Sequence, residues 1–291
     1  MKFIPKKLLV VLTAILLSGI VCTGQGPAPQ ASNSFRTQVE AISAGADSAG
    51  RAAAITRRLD ELGIKYRRET FVRGERQGTN IIVELPRSPG QKELMLGAHL
   101  DRVALGAGAI DNASGSAVVL ELLAALKAKP LKNHALTAVF FDLEEVGLVG
   151  SLKYIEARKP EALPVVMVNF DVFGYGDTLW VGASDPKTAA ATAVARAASA
   201  GKFPLEIGPS YPSSDHLSFR KAGIEALSFS LIDGKEIPGI LQIFRRERPE
   251  VTPRVLTIIH SSGDTNDKID ALGVMRALPV VEQSIRAIDA P

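Results

Sequence analysis

The residues best placed to do chemistry are the adjacent carboxylates Glu144 and Glu145, which follow the apolar run Val139-Phe140-Phe141 and precede a glycine-containing turn. Neighbouring side chains diverge at the end of an extended segment. One carboxylate can therefore hold a metal while the other stays free to move a proton, the division that metal-assisted hydrolysis needs. A Glu-Glu pair can also be only favourable charge at a helix start, so the surrounding residues decide. His99 and Asp101 lie two apart on an extended run and face the same way, which suits a carboxylate that fixes the tautomer of a metal-binding imidazole. Asp111 follows in a glycine-containing loop that lacks the Gly-Lys-Ser/Thr of a phosphate loop, and Asp171 and His260 each end a further apolar run. His99, Asp111, Glu145, Asp171 and His260 thus fall at or just past the ends of successive predicted strands, where a doubly wound sheet gathers side chains from distant sequence. Five ligands are too many for one tetrahedral site. Two histidines and three carboxylates, one of them shared, give two zinc ions three protein ligands each.

Composition narrows the choice. Cys22 is the only cysteine, so no intramolecular disulfide or cysteine-based zinc cluster can form, and any metal must sit on His, Asp and Glu. The net charge of +3 is matched by Lys2, Lys6 and Lys7, so the rest of the chain is balanced. That removes the electrostatic case for nucleic acid as a partner, and leaves membrane contact only through the N-terminal segment, if it stays uncleaved.

The elements that must position these groups can be read in order. Residues 1–25, three lysines followed by an apolar run over 8–21, have the form of a secretory signal peptide, and Cys22 sits in a poor lipobox context. Residues 26–48 read as a tether and N-terminal segment, and residues 49–291 as one catalytic domain. Folding is expected to start after Asn33, with helical spacing over 39–62. Strands are expected over 64–72, 79–85, 93–101, 137–141, 164–171, 178–182, 226–232 and 255–260. Helices are expected over 116–127, to about 158, and over 187–200, 213–223 and 270–288. Residues 234–254, with Arg245, Arg246 and Arg248, read as a solvated excursion, with binding of acidic substrates as the functional alternative. The class is α/β.

Residues 97–101, 109–115, 141–151, 169–171, 214–219 and 260–265 resemble, in order, the motifs of the co-catalytic di-zinc aminopeptidases of zinc metallopeptidase family 28. These are of the leucine aminopeptidase or aminopeptidase Y type, and the family also includes glutaminyl cyclases. The resemblance implies a three-layer αβα sandwich with a central mixed, mainly parallel sheet, as in zinc-dependent exopeptidases. It implies two zinc ions per chain, one on His99 and Asp171 and one on Glu145 and His260, with Asp111 bridging. Glu144 becomes the general base, Asp101 and Asp264 orient the two histidines, and the Asp111-Asn112 peptide is cis. His134 and His216 are not ligands by this match. Many relatives carry Tyr before the last ligand histidine, where this chain has Ile259, so Tyr211 becomes the candidate oxyanion donor; the short spacing from His99 to Asp111 trims a loop. The implied activity is that of an exported (periplasmic or secreted) aminopeptidase acting on peptides with a free N-terminus through a zinc-activated bridging water. A glutaminyl cyclase, using one zinc for aminoacyl transfer, is the second enzyme reading; the full set of five ligands stands against it. A non-catalytic binding relative would be expected to have lost ligands or the base.

Overall fold

The computed structural model describes residues 29–290; the predicted signal peptide, Cys22 and the first residues of the tether lie outside them. Eight strands, β1 (Tyr66–Arg73), β2 (Arg76–Glu84), β3 (Lys92–His99), β4 (His134–Phe141), β5 (Val166–Phe170), β6 (Thr178–Gly182), β7 (Leu205–Gly208) and β8 (Glu225–Ile232), form one sheet in the order β1-β2-β4-β3-β5-β8-β6-β7. The central pairings β4/β3, β3/β5 and β5/β8 are parallel, as is β6/β7, while β1/β2, β2/β4 and β6/β8 are antiparallel. The sheet is mixed, with a parallel centre.

Strand side chains alternate between two buried faces. Leu94, Leu96 and Ala98 of β3, Leu136, Ala138 and Phe140 of β4, and Val168 and Phe170 of β5 enter the larger core. That core is closed by α1 (Pro29–Ser43), α2 (Ser48–Glu61), α3 (Ser114–Ala128), α5 (Ala189–Ala200) and α9 (Ala271–Ile288). Met95, Val139, Phe141 and Met167 face the other way, against Tyr154 of α4 (Val149–Glu156) and Phe219 of α6 (His216–Lys221). Helices on both faces of the sheet make the α/β three-layer arrangement. A third cluster joins Trp180 and Ile232 to Ile237 and Ile240 of α7 (Ile237–Phe244) and Val255 of α8 (Val255–Ile258).

Four local expectations differ from the structure. Residues 29–33, expected in the tether, are the first turn of α1, with Pro29 at its start, where its missing N–H is not needed. Phe35, Val39 and Ile42 supply the buried stripe of that helix. The run 255–260, read as a strand, is the short helix α8 followed by His260, because β8 is already paired on both sides by β5 and β6. The excursion 234–254 contains α7, whose Ile237 and Ile240 are buried. Finally, β7 is a four-residue edge strand that the pattern did not reveal.

Candidate metal centre

The chain runs from β3 to β4 on one side and then to β5 on the other, so the C-terminal ends of β4, β3 and β5 meet at a topological switch point. His99 is the last residue of β3, Asp171 follows the end of β5, and Glu144 and Glu145 lie in the turn after β4. Asp111 comes from the turn before α3, and His260 follows α8 with φ at 57°. His99 Nε2 stands 3.1 Å from Asp111 Oδ1 and 3.4 Å from Asp171 Oδ1. His260 Nε2 stands 3.1 Å from both Asp111 Oδ2 and Glu145 Oε2. The five predicted ligands therefore form two groups, His99/Asp111/Asp171 and Asp111/Glu145/His260, that share Asp111.

The shared aspartate is fixed by its own loop. The Asp111-Asn112 peptide is cis, as expected. Asn112 Nδ2 donates to Phe170 O (2.8 Å) and its Oδ1 accepts from Gly115 N (2.9 Å), tying the loop to the strand that carries Asp171. Any side chain at Gly115 would start 2.2 Å from Asn112 Oδ1 and 2.5 Å from Phe170 O. Asp264 departs from its expected role. It accepts from the backbone N–H of Ile110 (2.7 Å) and Asp111 (3.1 Å), so it holds the shared ligand in place and does not orient a histidine. Asp101 lies 3.3 Å from His99 Nδ1, as expected, and also accepts from the N–H of Glu144 and of Glu145, both at 3.1 Å. One carboxylate thus positions a ligand histidine and both glutamates.

Reading the sequence missed Arg51. This guanidinium is fully buried, and it donates to the carbonyls of Leu100, Ala107 and Gly108 on the loop between His99 and Asp111. Burial lowers its pKa to about 10, with Asp101 and Asp111 opposing the shift. Nothing in the alanine-rich stretch around it signals the role. Asp215 lies within the segment 214–219 that carries the family resemblance, but its residue type and spacing gave it no role. It is fully buried with neither carboxylate oxygen hydrogen-bonded, and burial pushes its pKa up to about 7 against the pull of His99. His216 beside it is equally buried, and desolvation lowers it to about 3. His134 is a partner of Asp289 (3.2 Å), away from the centre.

Charge in the centre is concentrated. Burial, followed by Asp215, Asp171 and Asp111, raises Glu144 to about 9 although His99 opposes it. Burial works against the His99 cation, yet Glu144, Asp171, Asp101 and Asp111 together hold its pKa well above the usual value. Contacts with Asp111 and Glu145 raise His260 to about 10. Glu145 Oε1 and Asp171 Oδ1 are buried with no hydrogen-bond partner. Buried carboxylate oxygens without donors need a cation or a proton, and two imidazoles with three carboxylates are a donor set zinc accepts. The residues fit two metal ions.

Glu144 lines a cavity of about 540 Å³ together with the five ligands. Its remaining wall is mainly apolar, including Val172, Trp180, Ile232, Ile240, Phe244 and Ile259. Tyr211 also lines it, but not as a free donor. Ser230 Oγ donates its proton to Asp171 O, so in the short Tyr211–Ser230 contact the tyrosine must be the donor. No proton is left for an oxyanion, and the predicted role of Tyr211 fails on that count.

The two groups that share Asp111 therefore lie at a switch point of an α/β sheet, on the wall of a cavity that opens to solvent. The sequence pattern of peptidase family M28 matches residues 80–283, and the chain belongs to that family. Leupeptin-inactivating enzyme 1 of Streptomyces exfoliatus is 35% identical over 172 residues, which is 57% of this chain and 39% of that protein. A probable leucine aminopeptidase of Arthroderma otae is 31% identical over 201 residues, 62% of this chain and 50% of that one. This chain matches at most half the length of either relative. Among solved structures, BSAP, a zinc aminopeptidase from Bacillus subtilis, aligns with a TM-score of 0.61 at 26% identity, covering 72% of this chain and 50% of its own. Porphyromonas gingivalis glutaminyl cyclase aligns with a TM-score of 0.67 at 20% identity over 89% of this chain and 97% of its own, which is a likeness of fold.

Proposed function

We propose that the chain is an exported aminopeptidase with two zinc ions, removing apolar residues from the N-terminus of peptides. The observation that carries this reading is the meeting of both ligand groups at Asp111 on the wall of a cavity that Glu144 also faces. His99 and Asp171 would hold one ion, Glu145 and His260 the other, and Asp111 both. Bound there, zinc supplies Lewis acidity for an attacking water and for the scissile carbonyl. Glu144 does the proton work: it takes a proton from the water and delivers it to the leaving nitrogen. The buried side chains of Trp180, Ile232 and Ile240 bound the cavity, which suits a side chain at the end of a peptide. Its apolar wall favours an apolar first residue. Export rests on the lysine-rich, apolar form of residues 1–25.

The test is a panel of aminoacyl fluorogenic substrates beside an N-terminal glutaminyl peptide, run on wild type and Glu144→Gln. Release of leucine or phenylalanine is expected, with Glu144→Gln slower by about 10²–10⁴-fold and zinc content unchanged. Cyclisation of the glutaminyl peptide without aminoacyl release would establish the cyclase reading instead.

A further inference from the structure

Trp180, Ile232 and Ile240 of the cavity wall are buried, whereas Phe244 is 51% exposed and the His260 side chain 54% exposed, so part of the cavity mouth lies between α7 and His260. A peptide whose first residue is in the cavity has a path to solvent past α7 and His260. The loop that borders it, residues 245–254, begins after one cavity-lining residue, Phe244, and ends before another, Val255. It carries four arginines with distinct fates. Arg245 is neutralised by Glu247, through Nε at 3.0 Å and a second nitrogen at 3.1 Å. Arg254 lies over the Tyr175 ring, 5.3 Å from its centroid. The side chains of Arg246 and Arg248 are exposed and have no ion-pair or hydrogen-bond partner among the described residues; Glu250, the other acid of the loop, is exposed and pairs with neither. Arg246 stands two residues from the rim residue Phe244, with its backbone turned by a φ of 62°.

We propose that Arg246 and Arg248 form a guanidinium rim that binds a carboxylate on the peptide beyond the cleaved bond, which makes them specificity residues for short or acidic peptides. This rests on the aminopeptidase reading. An extended peptide advances about 3.3 Å per residue, so the carboxylate read at the mouth belongs to roughly the first three residues after the cleaved bond. It comes from an Asp or Glu side chain or from the C-terminus of a short peptide. Guanidinium suits both, because its planar fork matches a carboxylate.

The experiment compares wild type with the Arg246→Ala/Arg248→Ala double variant on four substrates: Leu-Leu-Gln-amide, Leu-Leu-Glu-amide, Leu-Leu-Gln free acid and leucine p-nitroanilide. Wild type is expected to favour one or both carboxylate peptides over the neutral amide by about 3- to 10-fold in kcat/KM at low salt, mostly through KM. The double variant should treat all three peptides alike while keeping the wild-type rate on leucine p-nitroanilide, and about 0.5 M salt should erase the wild-type preference. A gain with the Glu-amide assigns the side chain as source; a gain confined to the free acid assigns the C-terminus. No preference in wild type, a preference that survives in the variant, or an equal loss on leucine p-nitroanilide would each overturn the proposal. Absence of any leucine p-nitroanilide turnover would instead sink the aminopeptidase reading, and the rim with it.

Discussion

The Tyr211 hydroxyl has one proton, and Ser230 takes it because the serine's own proton is spent on Asp171 O. The Ile259 side chain, also in the cavity wall, has no donor to offer. Tyr211→Phe is therefore expected to lower kcat by less than about tenfold, whereas deleting a true oxyanion donor costs about 10²–10³-fold; steady-state kinetics on leucine p-nitroanilide separates the two. Glu144 and Glu145 are adjacent, and the proposed mechanism gives them different tasks. Glu145→Gln weakens a ligand and is expected to lower zinc content as well as rate, while Glu144→Gln should lower rate alone; metal analysis beside kcat for both variants checks the assignment. An exchange of these two outcomes would exchange the roles.

The loop between β3 and α3 depends on a side chain far away in sequence. Arg51 of α2 satisfies three backbone carbonyls around the loop that delivers Asp111. Arg51→Leu leaves the Leu100 and Ala107 carbonyls without a donor, while the Gly108 carbonyl keeps the N–H of Ala113 (3.0 Å), at a cost of about 1–3 kcal/mol for each group left unsatisfied. Chemical denaturation should show a loss of at least about 2 kcal/mol, with weaker zinc retention; an unchanged midpoint would contradict this account of the loop. Elements of this kind were legible in unequal measure. The central strands stand out because burial on both faces makes them continuous apolar runs, as in Val139-Phe140-Phe141. The run before His260 has the same composition but finds no strand to pair with, and periodicity carries no information about vacant sheet edges. α7 was masked by the arginines that follow it, and α1 by the polar residues of its first turn. That His99, Asp111, Glu145, Asp171 and His260 meet beside Glu144 was legible because motif order survives whatever elements deliver the residues. Asp264 was legible as a site residue but not in its role, since its partners are backbone N–H groups that no side-chain pattern reports.

Across the whole molecule, the buried polar layer behind the centre gives stability a pH dependence of known sign. His216 is held neutral by burial, with a folded pKa of about 3 against 6.5 for the free group. The unfolded chain therefore binds the extra proton between those values, so the contribution of His216 to stability is intact above about pH 6.5 and is lost as pH falls toward 3. Asp215, raised to about 7, works in the opposite sense, losing its contribution as pH rises from about 4 to 7. Comparing wild type with His216→Phe cancels the Asp215 contribution. The variant should gain on wild type by up to about 1.4 kcal/mol per pH unit below pH 6; parallel stability profiles would show that His216 is not neutral in the fold. The central claim, that both ligand groups are filled and both are needed, is tested most directly by stripping the protein with a chelator and adding zinc back in steps while recording bound metal and leucine p-nitroanilide hydrolysis. The account predicts no activity in the stripped protein and a full rate only as bound zinc approaches two per chain; a rate that is complete at one zinc, or that survives the chelator, would contradict it.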